Sequence, residues 1–356
     1  MTGMTTMTGG EALVASLAAH GVEVAFGIPG THNLEIYKHL PAHGVRHVST
    51  RHEQGAGYAA DGYARTTGRV GVAIVTSGPA LLNAATAVGQ AYSDSIPVLV
   101  VSPGLPLRHP ATGNGLLHET RDQQAAMAAV AAASLRPTSV AEIPTALAQA
   151  FSIMTSGRPR PVHLEIPLDV LEESAEVALV APVLAAPAPA PEASVAAAAA
   201  MLASATAPVV LVGGGARGAA AQVRALAERL GALVVSTTNG KGVLPEDHPL
   251  ALGAGIHLPA VEALVDEADV VVAVGTELAP ADLWYGALPV AGKLVRVDVD
   301  PVGMLTNATP TVAVLGDAAL ALDALLGALG PGEPARSDAG AWRERKAKDE
   351  IGRVHV

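Results

Sequence analysis

The chain has 356 residues, of which 50% are hydrophobic, 3% are aromatic and 15% are charged. Disorder is excluded because disordered chains have low hydrophobicity and high charge, and the absence of cysteine excludes disulfides and thiolate nucleophiles. The formal net charge of −11 argues against nucleic acid as a partner, and no charge-free stretch is apolar enough for a membrane span, so we expect a cytoplasmic protein.

Strand and helix patterns alternate along the first hundred residues. Thr8 and Glu11 have the spacing of a capping box and predict that the first helix begins there. Alternation of this kind is typical of a parallel sheet with helices on both faces. Strands are predicted at 22–26, 45–50, 70–76, 98–102 and 162–166, and helices at 34–40, 55–65, 80–92 and 144–155.

A second strand-helix series follows a segment rich in proline and alanine. The proline content of residues 176–192 predicts an extended linker between two domains. Strands are predicted beyond it at 208–212, 233–237, 270–274 and 294–299. The fold class is therefore α/β, with two doubly wound parallel-sheet domains. The predicted domains are 8–175 and 193–328, and residues 329–356 are interpreted as the start of a third domain, with a basic cluster on a solvated helix face.

Three turns are predicted to lie at one edge of the first sheet. They are the segments 27–30 (GIPG), 51–58 (RHEQGAGY) and 76–79 (TSGP), and each follows a predicted parallel strand. Open α/β sheets bind ligands beyond the carboxyl ends of their strands. A carboxylate at Glu53 could exchange a proton with such a ligand. The alternative is that Glu53 only stabilises the start of the next helix.

These segments resemble the pyrimidine-binding domain of thiamine-diphosphate enzymes. The resemblance also includes 61–65 (DGYAR) and 91–97 (AYSDSIP), and it is strongest for the acetolactate synthase branch. It implies that Glu53 hydrogen-bonds the aminopyrimidine of thiamine diphosphate and promotes removal of the thiazolium C2 proton, so that the cofactor can attack a 2-oxo acid. The cofactor-binding residues that it implies are Pro29, Gly30, Glu53, Thr76, Gly78, Pro79 and Asn83.

The loop after the fourth strand departs from the acetolactate synthase pattern. The segment 115–123 (GLLHETRDQ) carries His118 where those enzymes have glutamine. Its His-Glu-x-x-Asp-Gln pattern is more similar to that of 5-guanidino-2-oxopentanoate decarboxylases. We expect Gly30, His118 and Gln123 to face the 2-oxo acid, although His118 can also be read as an ordinary loop histidine. Ala80 is a further departure, because the family usually has glycine there.

The second domain carries one glycine-rich segment. Residues 213–218 (GGGARG) fit the pattern G-x-G-x-x-G, but the acidic residue that a bound NAD requires on the next strand is absent. In acetolactate synthases the corresponding domain holds FAD, and in some relatives it holds nothing. The resemblance therefore leaves FAD as an optional cofactor, with Gly213, Gly214, Gly215 and Asp298 as its candidate residues.

The diphosphate-binding signature of the family is missing from the sequence. Related enzymes hold Mg²⁺ and the diphosphate with Gly-Asp-Gly and a later asparagine, and no asparagine follows Asn307 here. We therefore predict no metal ligands in this chain. Three interpretations remain: a truncated enzyme, one subunit of a split enzyme, or a non-catalytic dimerising remnant. The resemblance also implies a homo-oligomer formed through the pyrimidine-binding domain.

Overall fold

The computed structural model describes residues 3–108, 113–183, 185–284, 286–288, 290–333 and 339–353. The chain divides into two compact units, Met1–Ala185 and Ala186–Val356. Within the described ranges, no helix is both long enough and apolar enough to cross a membrane.

The first unit is built on a sheet of six parallel strands, accompanied by a separate pair of antiparallel strands. Its strands are β1 Thr5–Thr8, β2 Val24–Gly27, β3 Arg46–Ser49, β4 Gly71–Ile74, β5 Val98–Gly104, β6 Ala133–Leu135, β7 Val162–Pro167 and β8 Ser174–Val177. Its helices are α1 Gly9–Ala19, α2 Leu34–Tyr37, α3 Glu53–Thr67, α4 Pro79–Asp94, α5 Gln123–Ala128, α6 Ile143–Thr155 and α7 Leu168–Glu172.

The six strands lie in the order β3-β2-β4-β5-β7-β6. Strands β4 and β5 are buried along their whole length, because helices cover both faces of the sheet. Helix α1 begins as predicted, since the Thr8 hydroxyl accepts a hydrogen bond from the Glu11 amide at 3.2 Å. The predicted fold class is confirmed for this unit.

Helices α3 and α4 pack closely because their facing side chains are very small. Ala60 is fully buried, and its carbonyl oxygen lies against the Gly71 Cα at the start of β4. A Cβ atom at Gly57 would lie 2.6 Å from the Ala87 Cβ, so glycine at this position allows the two helices to approach. This contact fixes the position of Glu53, which begins α3.

The second unit contains another sheet of six parallel strands, in the order β11-β10-β9-β12-β13-β14. Its fold class is also confirmed, and two strands, β9 and β12, have the predicted bounds. The strands are β9 Pro208–Val212, β10 Leu233–Ser236, β11 Ala251–Ala254, β12 Val270–Val274, β13 Lys293–Asp298 and β14 Val312–Leu315. The helices are α8 Glu192–Ala203, α9 Ala220–Leu230, α10 Pro259–Glu267, α11 Ala318–Leu329 and α12 Ala339–Arg353.

Helix α12 is attached to the second unit by its polar side chains. The Arg343 guanidinium donates to the Ala251 carbonyl at 3.1 Å, and the Asp349 carboxylate accepts from the Ala260 amide at 2.7 Å. The Lys346 side chain is only 13% exposed. The sequence predicted a solvated face for this basic cluster, and that prediction is wrong for Lys346, whereas Arg343 is exposed.

The strands that the sequence analysis missed lie at sheet edges or pair across long sequence distances. β6, β11 and β14 are edge strands of three or four residues. β1 and β8 pair with each other, and their partners Thr5 and Val177 are 172 residues apart. Glu176 and Val177 therefore belong to a strand, although the sequence assigned them to the linker. Hydrophobic patterns depend on neighbouring residues, so they do not indicate pairing between strands that lie far apart in the sequence.

A histidine is completely buried in the first sheet. His163 on β7 has its Nε2 atom 2.9 Å from the Ser102 hydroxyl on β5 and its Nδ1 atom 2.7 Å from the Ser134 hydroxyl on β6. Burial lowers the pKa of His163 to about 3. The imidazole is therefore neutral and joins three strands through hydrogen bonds.

A partly buried ion pair lies beside this network. The Arg136 guanidinium donates to the Glu165 carboxylate at 2.7 Å and to the Leu105 carbonyl at 3.0 Å. Burial raises the pKa of Glu165, and the charge of Arg136 opposes that rise. Arg136 thus connects β7, which carries Glu165, to the backbone that follows the carboxyl end of β5.

We predict that His163 makes stability fall in acid. Below pH 6.5 the unfolded chain binds a proton here that the folded chain does not bind until the pH approaches 3. The contribution of the neutral His163 to the free energy of unfolding is therefore complete above pH 6.5. Below pH 6.5 this contribution decreases by up to about 1.4 kcal/mol per pH unit. In urea unfolding, acidification from about pH 7 to about pH 5 should cost the wild type about 2 kcal/mol more than His163→Gln.

The control is Thr66→Ala, because Thr66 is exposed on α3 of the same unit and carries no titratable group. It should retain the wild-type pH dependence. Equal losses in the wild type and His163→Gln would contradict the prediction.

Candidate active site

Three turns meet at the carboxyl edge of the first sheet. They follow β2, β3 and β4, which are neighbours in the order β3-β2-β4. The side chain of Thr76 connects two of them, since a Cβ at Gly30 would lie 2.6 Å from its methyl carbon. The structure therefore brings together the segments that the sequence placed at one edge.

The turn after β2 is held by Asn33, which is fully buried. Its side-chain oxygen accepts from the Gly30 amide at 2.8 Å, and its side-chain nitrogen donates to the Ile28 carbonyl at 3.1 Å. This pair of hydrogen bonds fixes the backbone on both sides of Pro29. Pro29 itself is exposed at the edge.

Glu53 is the first residue of α3 and is partly exposed. Its Oε2 atom accepts a hydrogen bond from the Asn83 side chain on α4 at 2.9 Å. Its Oε1 atom has no hydrogen-bond partner among the described residues. The helix is capped by another residue, because the His52 ring accepts from the Gln54 amide at 3.1 Å. Glu53 is thus held on one side and open to a ligand on the other.

Gly78 provides the sharp turn between β4 and α4. Its φ of 61° and ψ of −117° are accessible only to glycine. The carbonyl oxygen of His118 lies directly against its Cα, where no Cβ would fit. Pro79 then begins α4 with the fixed φ that suits a first helical position.

Gln123 holds this turn from the side of the sheet. Its Oε1 atom accepts from the Gly78 amide at 3.0 Å, and its Nε2 atom donates to the Pro103 carbonyl at 2.7 Å. The residue is only 7% exposed. The structure therefore places the Gln123 amide within the protein, whereas the sequence expected it to face the substrate.

His118 is exposed, and it has a φ of 61°. Its ring is nearly perpendicular to the ring of His32, with 5.5 Å between the centroids. His32 was not among the residues predicted from the sequence, although it lies two positions after the 27–30 turn. The His32 Nδ1 atom lies 2.6 Å from the Ser77 hydroxyl. Burial, and secondarily the charge of His118, lowers the pKa of His32.

The glycine-rich segment of the second unit is closed by its own chain. A Cβ at Gly213 would meet the Thr276 side chain at 2.6 Å, and a Cβ at Gly215 would lie 2.9 Å from the Gly275 Cα. The Gly215 amide donates to the Gly275 carbonyl at 3.0 Å. The glycines therefore allow two backbones to touch, and in this arrangement they do not fit a dinucleotide diphosphate.

A cavity of about 340 Å³ lies beyond the carboxyl ends of β10 and β11. His257 and Trp284 stack against each other at its wall, with 4.3 Å between the ring centroids. Its described lining includes Asp282 and Glu350 and no lysine or arginine. Asp298 is not part of that lining, and its carboxylate accepts from the Asp300 amide at 3.0 Å. This charge distribution is unfavourable for a diphosphate.

The described parts of the chain contain no group of three or more histidine or acidic side chains that could hold a metal ion. The candidate site at the first sheet consists of the open carboxylate of Glu53, its partner Asn83, the two histidines His32 and His118, and backbone turns. It can hold the polar edge of a heterocycle and exchange a proton with it.

The sequence matches two family descriptions that correspond to the two units. Residues 7–127 match "Thiamine pyrophosphate enzyme, N-terminal TPP binding domain", and residues 195–325 match "Thiamine pyrophosphate enzyme, central domain". The chain therefore belongs to the thiamine pyrophosphate enzyme family, and the resemblance seen in its motifs is confirmed.

Curated relatives place the chain within this family. It is 45% identical to the "Probable 2-ketoarginine decarboxylase AruI" of Pseudomonas aeruginosa over 99% of this chain and 63% of that protein. It is 36% identical to the "Probable acetolactate synthase large subunit" of Methanocaldococcus jannaschii, over 91% of this chain and 56% of that protein. The "Acetolactate synthase" of Arthrospira platensis is also 36% identical, with 87% and 56% covered. The chain thus spans less than two thirds of these relatives.

We predict that Gly78→Ala destabilises the first unit by at least about 2 kcal/mol, because it adds a Cβ against the His118 carbonyl in a backbone region restricted to glycine. Gly89→Ala on the same helix is the control, since a Cβ there meets nothing within 4 Å. That control should be neutral or stabilising by about 0.5–1 kcal/mol. Urea unfolding measures both, and equal effects would contradict the prediction.

Proposed function

We propose that the chain supplies the pyrimidine-binding part of a thiamine-diphosphate-dependent 2-oxo acid decarboxylase or carboligase. The observation that carries the proposal is Glu53, with one carboxylate oxygen bonded to Asn83 and the other open at the carboxyl edge of the sheet. The names of the relatives at 45% and 36% identity support the same reaction class.

The residues at this edge fit the aminopyrimidine of thiamine diphosphate. Glu53 would accept a hydrogen bond from a ring nitrogen, and Asn83 would keep the carboxylate oriented. When bound, the cofactor supplies the carbanion that attacks the 2-oxo acid and the electron sink for decarboxylation. The protein contributes the position of the ring and a carboxylate that exchanges its proton.

We further propose that another domain or chain covers this edge. Leu34, Tyr58 and Leu82 lie on α2, α3 and α4, and each is between 41% and 56% exposed. Large apolar side chains next to an open carboxylate are typical of a surface that is buried on association. The diphosphate and Mg²⁺ would then be held on the covering domain, in a homo-oligomer or in a split enzyme. The cytoplasmic location stays a prediction from the sequence.

FAD is not part of the proposed function. The glycine loop at 213–215 is filled by the Gly275 backbone, and the neighbouring cavity presents carboxylates. We propose that this unit has a structural role in the assembly.

The Glu53→Gln variant tests the proposed role directly. Glutamine keeps the size of the side chain but cannot take up the ring proton. With a complementing diphosphate-binding domain, 2-oxo acid decarboxylation should fall by about 10²- to 10⁴-fold. Glu23→Gln is the control, because Glu23 pairs with Arg69 at the opposite edge of the sheet. Decarboxylation that is unchanged in Glu53→Gln would refute the role.

Calorimetric titration tests whether the site needs a covering domain. The chain alone should bind thiamine diphosphate with Mg²⁺ no more tightly than about 1 mM, which corresponds to about −4 kcal/mol. FAD should give no heat of binding in the same experiment. Tight, Mg²⁺-dependent binding would contradict the incomplete site, and tight FAD binding would contradict the structural role of the second unit.

A further inference from the structure

His32 lies where three loops of the first unit converge. It follows the turn after β2, contacts Ser77 in the turn after β4, and contacts His118 in the loop after β5. It is only 8% exposed. A buried histidine at the meeting point of three site-forming loops can fix their relative positions.

The hydrogen bond to Ser77 fixes the imidazole ring of His32. The Nδ1 atom and the Ser77 hydroxyl oxygen are 2.6 Å apart, and both residues are buried. The Nε2 atom has no hydrogen-bond partner among the described residues, although it is not sealed from solvent. The ring is therefore anchored at one nitrogen and lies beside the ring of His118.

His118 is held at its backbone by the turn that the Glu119 amide closes on the Leu116 carbonyl at 2.9 Å, but its ring has no hydrogen-bond partner among the described residues. Its φ of 61° is an uncommon conformation for a residue with a Cβ. Its ring is exposed, and the contact with His32 at an interplanar angle of 84° is the aromatic contact that the structure gives it. Edge-to-face pairs of this geometry are favourable. The same residue places its carbonyl oxygen over the Gly78 Cα.

We propose that His32 is a positioning residue that holds His118 against the Gly78 turn and toward the bound 2-oxo acid. This inference rests on the proposed function, because His118 is the predicted substrate contact. His32 acts through the contact of its ring with the ring of His118, and Ser77 acts by preventing the His32 ring from rotating. The two imidazoles thus form one unit of the substrate subsite.

A nuclear Overhauser effect between a His118 proton and a Gly78 proton tests whether His118 is held against the Gly78 turn. This readout does not depend on any atom of His32. The Hα position of Gly78 points at His118, whose Cβ lies 3.2 Å from an ideal Cβ built at Gly78. Full-length chain with protonated glycine and histidine in a deuterated background should show a nuclear Overhauser cross-peak between His118 Hβ and Gly78 Hα. The variants are His32→Ala, His32→Phe and Ser77→Ala.

The cross-peak should disappear in His32→Ala, weaken in Ser77→Ala and persist in His32→Phe, which retains an aromatic ring. His43→Ala controls for the removal of a partly buried imidazole elsewhere in the unit. Full intensity in folded His32→Ala would overturn the proposal, as would equal loss in His32→Phe. If His32→Ala does not fold, the other two variants decide the question. A cross-peak at full intensity in Ser77→Ala, or one that is lost in His32→Phe, would overturn the proposal.

The complemented enzyme gives a second readout. His32→Ala should raise KM for the 2-oxo acid several-fold, His32→Phe should restore it, and affinity for thiamine diphosphate should not change. An inactive complemented wild type would refute the proposed function, while the cross-peaks would still decide the role of His32. A KM that stays at the wild-type value in His32→Ala would overturn the positioning role.

Discussion

The backbone conformation at Gly78 is the constraint on which the site of the first unit depends. Its φ and ψ are available only to glycine, its amide is bonded to Gln123, and its Cα is covered by His118. These contacts fix the starting point and direction of α4. Asn83 lies five residues further on, about 7.5 Å along the helix axis, where it meets Glu53. A change at Gly78 would therefore be transmitted to the carboxylate.

Polar groups inside the sheet support the Gly78 turn. Gln123 bonds the Pro103 carbonyl, and it lies 3.4 Å from the Ser102 hydroxyl, which also contacts His163. Buried polar groups are costly unless they are paired, so a hydrogen-bonded network of this kind favours one arrangement of its members. The network extends from β6 to the start of α4 and makes the carboxyl edge rigid. A rigid edge is what a carboxylate needs to meet a flat heterocycle in one orientation.

The two units share an architecture and differ in what their glycines do. In the first unit, Gly30 and Gly78 allow loops to approach the edge while Glu53 stays open. In the second unit, Gly213 and Gly215 allow the chain to fill the switch point between β9 and β12 with the backbone of Gly275. The same residue type thus leaves an accessible site in one sheet and closes the equivalent place in the other. Fold alone does not assign function.

The sequence by itself determined the fold class, the family and the main candidate residue. Apolar runs such as β9 and β12 report burial on both faces, and the segment around Glu53 is specific enough to identify the family. Only the tertiary structure decided the pairing of β1 with β8, the buried role of Gln123 and the contact between His32 and His118. Periodicity depends on neighbouring residues, whereas these contacts join residues that come together only when the loops pack at a common sheet edge.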